Sequence, residues 1–235
     1  MISSQDLKKE YPIKIEMHCH CKPASGCGDF TAPELVNIYK KEGYDALLLT
    51  NHFMYSTLPE KEYCDFWYAD FEKAVKEGEK VGLKVMLGAE LRFLDTGTYD
   101  FSLIGLDRSM LEKTHASLRF SPEYFYNKVK DDRSLLIQVH PFREPCRPYA
   151  SSALDGMELI NGHPRQNNSN TYSARYLAQH PELLRVCGTD FHHPHMQALT
   201  ALRTKTLPAD SFELAEILRS KDYLLQLGEN IILPY

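Results

Sequence analysis

Short apolar runs alternate with longer amphipathic stretches along this chain, and that alternation most narrows what it can fold into. It is the pattern of βα units, in which strands form a largely parallel sheet and helices cover it. Residues 13–17 (IKIEM) alternate like a strand. Thr31-Ala32-Pro33-Glu34 then supplies a capping box with proline in the first turn, and predicts a helix running to Gly43. DALLLT (45–50) reads as a short buried strand. Trp67, Phe71, Ala74, Gly78 and Val81 fall at helical spacing, predicting a helix over 63–81 that Gly82 stops. Further strands are predicted at 83–88, 100–105, 134–139, 156–160 and 183–188. Helices are predicted near 121–131 (Ser121 cap, Pro122 first), 169–179 and 210–220. The closing YLLQL is short and fits either element type. No repeat or Gly/Ser/Pro-rich linker divides the 235 residues, so a single domain, 1–235, is expected, within the size of one α/β barrel.

Composition removes several classes. The formal net charge is -5 and the pI about 6.1, which argues against a broad basic surface for nucleic acid. No apolar run approaches a membrane span. MISSQDLKKEYPIK lacks the apolar core of a secretory signal, so a cytoplasmic location is expected. The six cysteines are scattered with no CxxC pair, and reduced thiols are the better reading.

The polar residues best suited to binding metal come just as each apolar strand finishes. They are His18 and His20, then His52 after Asn51, Glu90, His140, Glu158, Asp190 and His192. In a parallel barrel such strand ends share one rim, so residues distant in sequence converge there. In His18-Cys19-His20 the imidazoles share one strand face while Cys19 and Cys21 point away. A zinc-finger reading of HCHC is poorer, because no second ligand pair lies at finger spacing. Glu90 follows a buried strand, where a charge needs a cation, hydrogen bonds or a salt bridge, with Arg92 the candidate partner for the last. Arg143, three residues after His140, can contact phosphate. Mixed carboxylate and imidazole donors suit Zn, Mn or Fe better than Ca. His115, His163, His180, His193 and His195 read as surface or structural, and Cys19, Cys21 and Cys187 as small core residues.

Taken in order, HCH, TNH, GAE, VHPFR, GMELIN and GTDFHHP resemble the motif series of the PHP (polymerase and histidinol phosphatase) family, from about residue 13 to 200. The resemblance implies an α/β fold, a distorted seven-stranded β/α (TIM-like) barrel, with two or three divalent ions (Zn, Mn or Fe) that hydrolyse phosphate esters through a metal-bridged hydroxide. It implies His18, His20, Glu90 and Asp190 on a first ion, Glu90 bridging to a second that His140 also holds, and His52 and His192 on a third. Two segments depart from the family pattern. In SGCGDF the candidate ligand is Asp29, and in YDFSLIG Asp100 stands where many members have histidine. Arg143 and Arg165 are candidate phosphate clamps, His192 a candidate proton donor to the leaving oxygen, and Glu158 and Asn161 groups that orient ligands. The leading expectation is a phosphomonoesterase acting on a small phosphorylated metabolite or nucleotide. Histidinol-phosphate phosphatase, a phosphodiesterase or 3′→5′ nuclease, and a non-catalytic metal-stabilised partner module are the alternatives.

Overall fold

A computed structural model describes residues 3–194, 196 and 198–235, so His195 lies outside the described residues. Its eleven strands are β1 (Ile13–Cys19), β2 (Ala46–Leu49), β3 (His52–Met54), β4 (Lys84–Arg92), β5 (Asp100–Ile104), β6 (Leu135–Gln138), β7 (Gly156–Asn161), β8 (Leu184–Gly188), β9 (Thr200–Thr204), β10 (Leu224–Leu227) and β11 (Asn230–Ile232). They form one sheet in the order β11-β10-β9-β1-β2-β4-β5-β6-β7-β8, with β3 paired to β4. The α-helices are α1 (Ser4–Glu10), α2 (Ala32–Lys41), α3 (Glu60–Val81), α4 (Leu111–Ser117), α5 (Pro122–Lys128), α6 (Asn170–Gln179) and α7 (Ser211–Ser220). None is long and apolar enough to cross a membrane.

Local chemistry explains the boundaries. The Thr31 N–H donates to Glu34 Oε2 at 2.8 Å, the backward arm of the expected capping box at the start of α2. Gly82 ends α3 at φ 70°, a conformation that favours glycine. YLLQL resolves as β10, antiparallel to both β9 and β11.

The seven strands expected from the sequence lie side by side as β1-β2-β4-β5-β6-β7-β8. They make a curled, mostly open sheet instead of a closed seven-stranded barrel. The reason lies at the edge of β1. Its first half, Ile13 to Ile15, is already paired antiparallel with β9. The chain following β8 therefore reaches β1 only near its far end, where Asp190 N–H donates to His18 O (2.8 Å) and His20 N–H to Phe191 O (3.1 Å). That closure demands glycine at 188, since a Cβ there would lie 2.2 Å from the His18 Cβ.

The sheet is also not wholly parallel. β5 runs antiparallel to both β4 and β6. Below the closure, Ile15, Leu48, Met86, Ile104, Ile137, Val186 and Leu202 join in one buried cluster. A flat sheet could not bring β1, β2, β4, β5, β6, β8 and β9 into a common apolar cluster, and the burial of that cluster supplies a rigid floor for the polar end.

Candidate metal centre

The polar end is built first by Glu16, which is fully buried. Its Oε1 accepts the N–H groups of Met17 (3.0 Å), His18 (2.9 Å) and Thr189 (2.9 Å), and its Oε2 accepts Thr189 Oγ1 at 2.6 Å. The pairing of β1 with β2 shifts register between Glu16 and Cys19, an irregularity of the kind that re-aims side chains beside active sites. One carboxylate thus fixes the backbone leading to both His18 and Asp190.

Two buried carboxylates then face five imidazoles. Glu90 Oε1 lies 3.1 Å from His140 Nε2 and 3.3 Å from His18 Nε2; its Oε2 lies 2.6 Å from His52 Nδ1 and 3.4 Å from His20 Nε2. Asp190 Oδ1 lies 3.5 Å from His18 Nε2, 3.4 Å from His20 Nε2 and 3.4 Å from His192 Nδ1. The donors sort into overlapping sets whose ligand atoms lie within 4.8 Å of one another: His18/His20/Glu90, His18/His140/Asp190, His20/His52/His192 and His52/Glu90/Asp100.

Several of these contacts are close in distance but lack hydrogen-bond direction. His18 Nε2, His20 Nε2, His52 Nδ1 and Glu90 Oε2 are buried and make no hydrogen bond among the described residues. Buried polar atoms are ordinarily satisfied. Four unsatisfied donor and acceptor atoms around a shared space fit cations held between them. Backbone strain sits at the same place: His140 (φ 32°) and Asp190 (φ 56°) adopt left-handed conformations uncommon for residues with a Cβ.

Outer contacts fix ring orientation. Glu158 Oε1 lies 2.9 Å from His18 Nδ1, while its Oε2 accepts the His140 N–H (2.7 Å) and Asn161 Nδ2 (2.9 Å). With Nδ1 held there, His18 presents Nε2 inward. Arg143 donates through Nε to Asn168 Oδ1 (2.9 Å) and through one Nη to Asn161 Oδ1 (3.0 Å) and Asp190 Oδ2 (2.5 Å).

Electrostatics follow from this crowding. Burial pushes the Glu90 carboxyl up, but the charges of His52 and His18 outweigh it and hold it well below the usual carboxylate range. Burial works against protonated His18 too; Asp190, Glu158 and Glu90 more than compensate and raise it well above an ordinary imidazole. His20 goes the other way, because burial and the His52 charge both keep it neutral.

The remaining expected residues divide. Asp100 reaches the rim because β5 is reversed, which puts the first residue of that strand beside the last of β4. Its carboxylate is gripped at both oxygens by Arg92 (2.7 Å each) and lies 3.8 Å from His140 Nε2. Arg92 therefore neutralises Asp100, not Glu90. Asp29 is not gathered in: its side chain is half exposed and lies 3.0 Å from His193 Nδ1. Arg165 is exposed on the loop after β7, and its backbone N–H donates to His163 Nδ1 at 3.2 Å.

The sequence reading missed Cys27, two positions before Asp29. Burial pushes its thiol up, yet hydrogen bonding to His192 and His52 brings it down to about 6. It also treated His163 as peripheral, whereas its buried ring lies 5.5 Å from that of His192. A glycine-flanked cysteine in SGCGDF was the available signal for the first, and only coordinates reveal the second.

No protein-family model and no curated protein matches the sequence. Solved structures do. A two-domain protein from Bacteroides vulgatus ATCC 8482, named for a PHP-like metal-dependent phosphoesterase, aligns at TM-score 0.65 and 15% identity, covering 93% of this chain and 66% of that one. A protein from Bifidobacterium adolescentis ATCC 15703, named as a metal-dependent phosphoesterase, aligns at 0.54 and 17%, covering 87% and 95%. An amidohydrolase from Chromobacterium violaceum, with bound sulfate and no metal, aligns at 0.54 and 14%, covering 94% and 98%. The chain thus spans just under two thirds of the first of these, and it has the fold of proteins named as PHP-like metal-dependent phosphoesterases.

Proposed function

We propose that this chain is a metal-dependent phosphoesterase that hydrolyses a small phosphomonoester. The observation that carries the proposal is the set of buried, unsatisfied donor atoms on His18, His20, His52 and Glu90 around one space. Such a set is costly in a protein interior unless cations complete it. His18, His20, Glu90 and Asp190 would hold one ion, Glu90 and His140 a second, with Asp100 beside them, and His52 and His192 a third. Divalent ions bound there would lower the pKa of water toward ~7 and so supply a nucleophile at neutral pH.

The chain's own groups do the positioning. Arg143 is oriented by Asn168, Asn161 and Asp190, and its other Nη makes no hydrogen bond to a described residue, which leaves it for a phosphoryl oxygen. Arg165, exposed on the loop after β7, is a second candidate cation for that group. His192 Nδ1 lies 2.8 Å from Asp190 O. A carbonyl only accepts, so Nδ1 carries the proton, which in the neutral ring leaves Nε2 to serve as the ion donor. That tautomer favours the ligand role over proton donation to the leaving oxygen. The net charge of -5 favours a small anion drawn to the buried centre over an extended nucleic acid.

The test is turnover of p-nitrophenyl phosphate and a panel of phosphomonoesters by the Zn-, Mn- and Fe-loaded protein, with bis-p-nitrophenyl phosphate and an amide panel as separate arms. Phosphomonoester turnover abolished by His18→Ala and by Glu90→Ala is expected. Turnover of the diester or amide arm alone would replace the assignment, and activity surviving both substitutions would refute it.

A further inference from the structure

The strand that carries His52 carries a second side chain on the same face. β3 runs parallel to β4, with His52 opposite Glu90 and Met54 opposite Arg92. His52 Nδ1 lies 2.6 Å from Glu90 Oε2, so that face looks into the centre. Residues two apart on a strand share a face, which puts Met54 and Arg92 in the next tier, about 6.6 Å further out along the strands. Arg92 turns its guanidinium to Asp100, donating through Nε and Nη2 at 2.7 Å each, and this leaves its hydrocarbon stem beside Met54. The wall of the mouth on this side is therefore apolar, although the centre beneath it is charged.

Met54 is 38% exposed, and Tyr55 (39%) and Leu58 (47%) continue the apolar surface along the loop that follows. That loop is held in place. The Met54 N–H donates to Tyr63 Oη at 2.9 Å, the Ser56 N–H to His115 Nε2 at 3.2 Å and the Leu58 N–H to Ser56 Oγ at 3.1 Å. The Tyr55 ring lies parallel to the His115 ring, with centroids 6.0 Å apart. Apolar side chains scattered singly on a surface are ordinary, but a fixed group of them continuous with a polar centre is the arrangement that takes an amphiphilic ligand.

We propose that Met54, continued by Tyr55 and Leu58, is a leaving-group subsite that selects phosphomonoesters of apolar alcohols over those of sugars and polyols. This rests on the phosphomonoesterase reading above and deepens it by naming the class of alcohol. A phosphoryl group held at the centre leaves the alcohol to extend past the tier that Met54 occupies. An alkyl chain or aromatic ring there is withdrawn from water against Met54 and the Arg92 stem. A hydroxyl-rich alcohol in the same place gives up water without gaining a hydrogen bond from a thioether or a methylene.

Straight-chain alkyl phosphates from ethyl to octyl, used below their micelle concentrations, test this, because their alcohols leave with similar basicity and differ in apolar surface. With the metal-loaded full chain, kcat/KM should rise about tenfold or more from ethyl to octyl, chiefly through KM. Met54→Ser combined with Leu58→Ser should remove most of that gain; both side chains are exposed, so the variant should fold as the wild type does. Alkylphosphonates, which are not hydrolysed, give a second readout by calorimetry. Octylphosphonate should bind with a more negative heat-capacity change than ethylphosphonate in the wild type, and the difference should shrink in the variant. A flat chain-length series, or a gain that survives in the variant, would overturn the inference while leaving phosphomonoester hydrolysis standing. A dimer that the variant dissociates would assign the patch to a second copy of the chain and overturn it too. Absence of turnover with every alkyl phosphate would count against the proposed function, and the phosphonate series would then decide the subsite by itself.

Discussion

Glu158 touches little solvent, yet its contacts set the direction in which two of the proposed ligands point. It holds His18 Nδ1 at 2.9 Å and the His140 N–H at 2.7 Å, the latter at a residue strained to φ 32°. Removing the carboxylate would free the His18 ring to rotate and leave the His140 backbone donor unpaired. Glu158→Ala is therefore expected to weaken metal affinity about 10- to 100-fold, measured by chelator competition, without removing any ligand. Glu158→Gln should lose less, since its amide oxygen can still accept one of these bonds. Unchanged affinity in Glu158→Ala would show that the packing of β1 and β7 alone orients His18.

At the scale of elements, the centre depends on how β8 meets β1. Gly188 lets the two backbones approach, because a Cβ would lie 2.2 Å from His18 Cβ and 2.7 Å from Glu158 Oε1. Gly188→Ala must push β8 away or displace His18, and the expected destabilisation is about 1–3 kcal/mol or more by denaturant unfolding. Because the displaced residue is a proposed ligand, metal affinity should fall in the same variant. Loss of stability with unchanged affinity would mean that β8 moves and His18 stays.

All seven strands of the barrel prediction were legible because each is a short apolar run with a distinct composition. Their direction was not. β5 is as apolar as its parallel neighbours, and periodicity carries no information about strand polarity; the reversal also explains how Asp100, at the start of its strand, reaches the same rim as residues that end theirs. The convergence of His18, His20, His52, Glu90, His140, Asp190 and His192 was legible because polar residues terminating apolar strands are conspicuous. Asp29 and Cys27 were not separable, since they sit in an irregular turn whose path is set by hydrogen bonds from distant His52 and His192.

Across the whole molecule, the two ends of the curled sheet do different work. The apolar cluster around Ile15, Leu48, Ile104 and Val186 supplies rigidity, and the opposite end gathers charge that the same burial makes expensive. The chain after β8 is hydrogen-bonded to β1 around His18 and Asp190, so closing the sheet also brings these two residues of the centre together. The proposed cations would stabilise that arrangement, and the most direct test is to count them. The purified full chain, dialysed against metal-free buffer and assayed by inductively coupled plasma mass spectrometry, should retain at least one equivalent of a transition metal. His20→Ala combined with Glu90→Ala should retain none. Wild-type protein that holds no transition metal after supplementation, or a double variant that holds as much as wild type, would contradict the account.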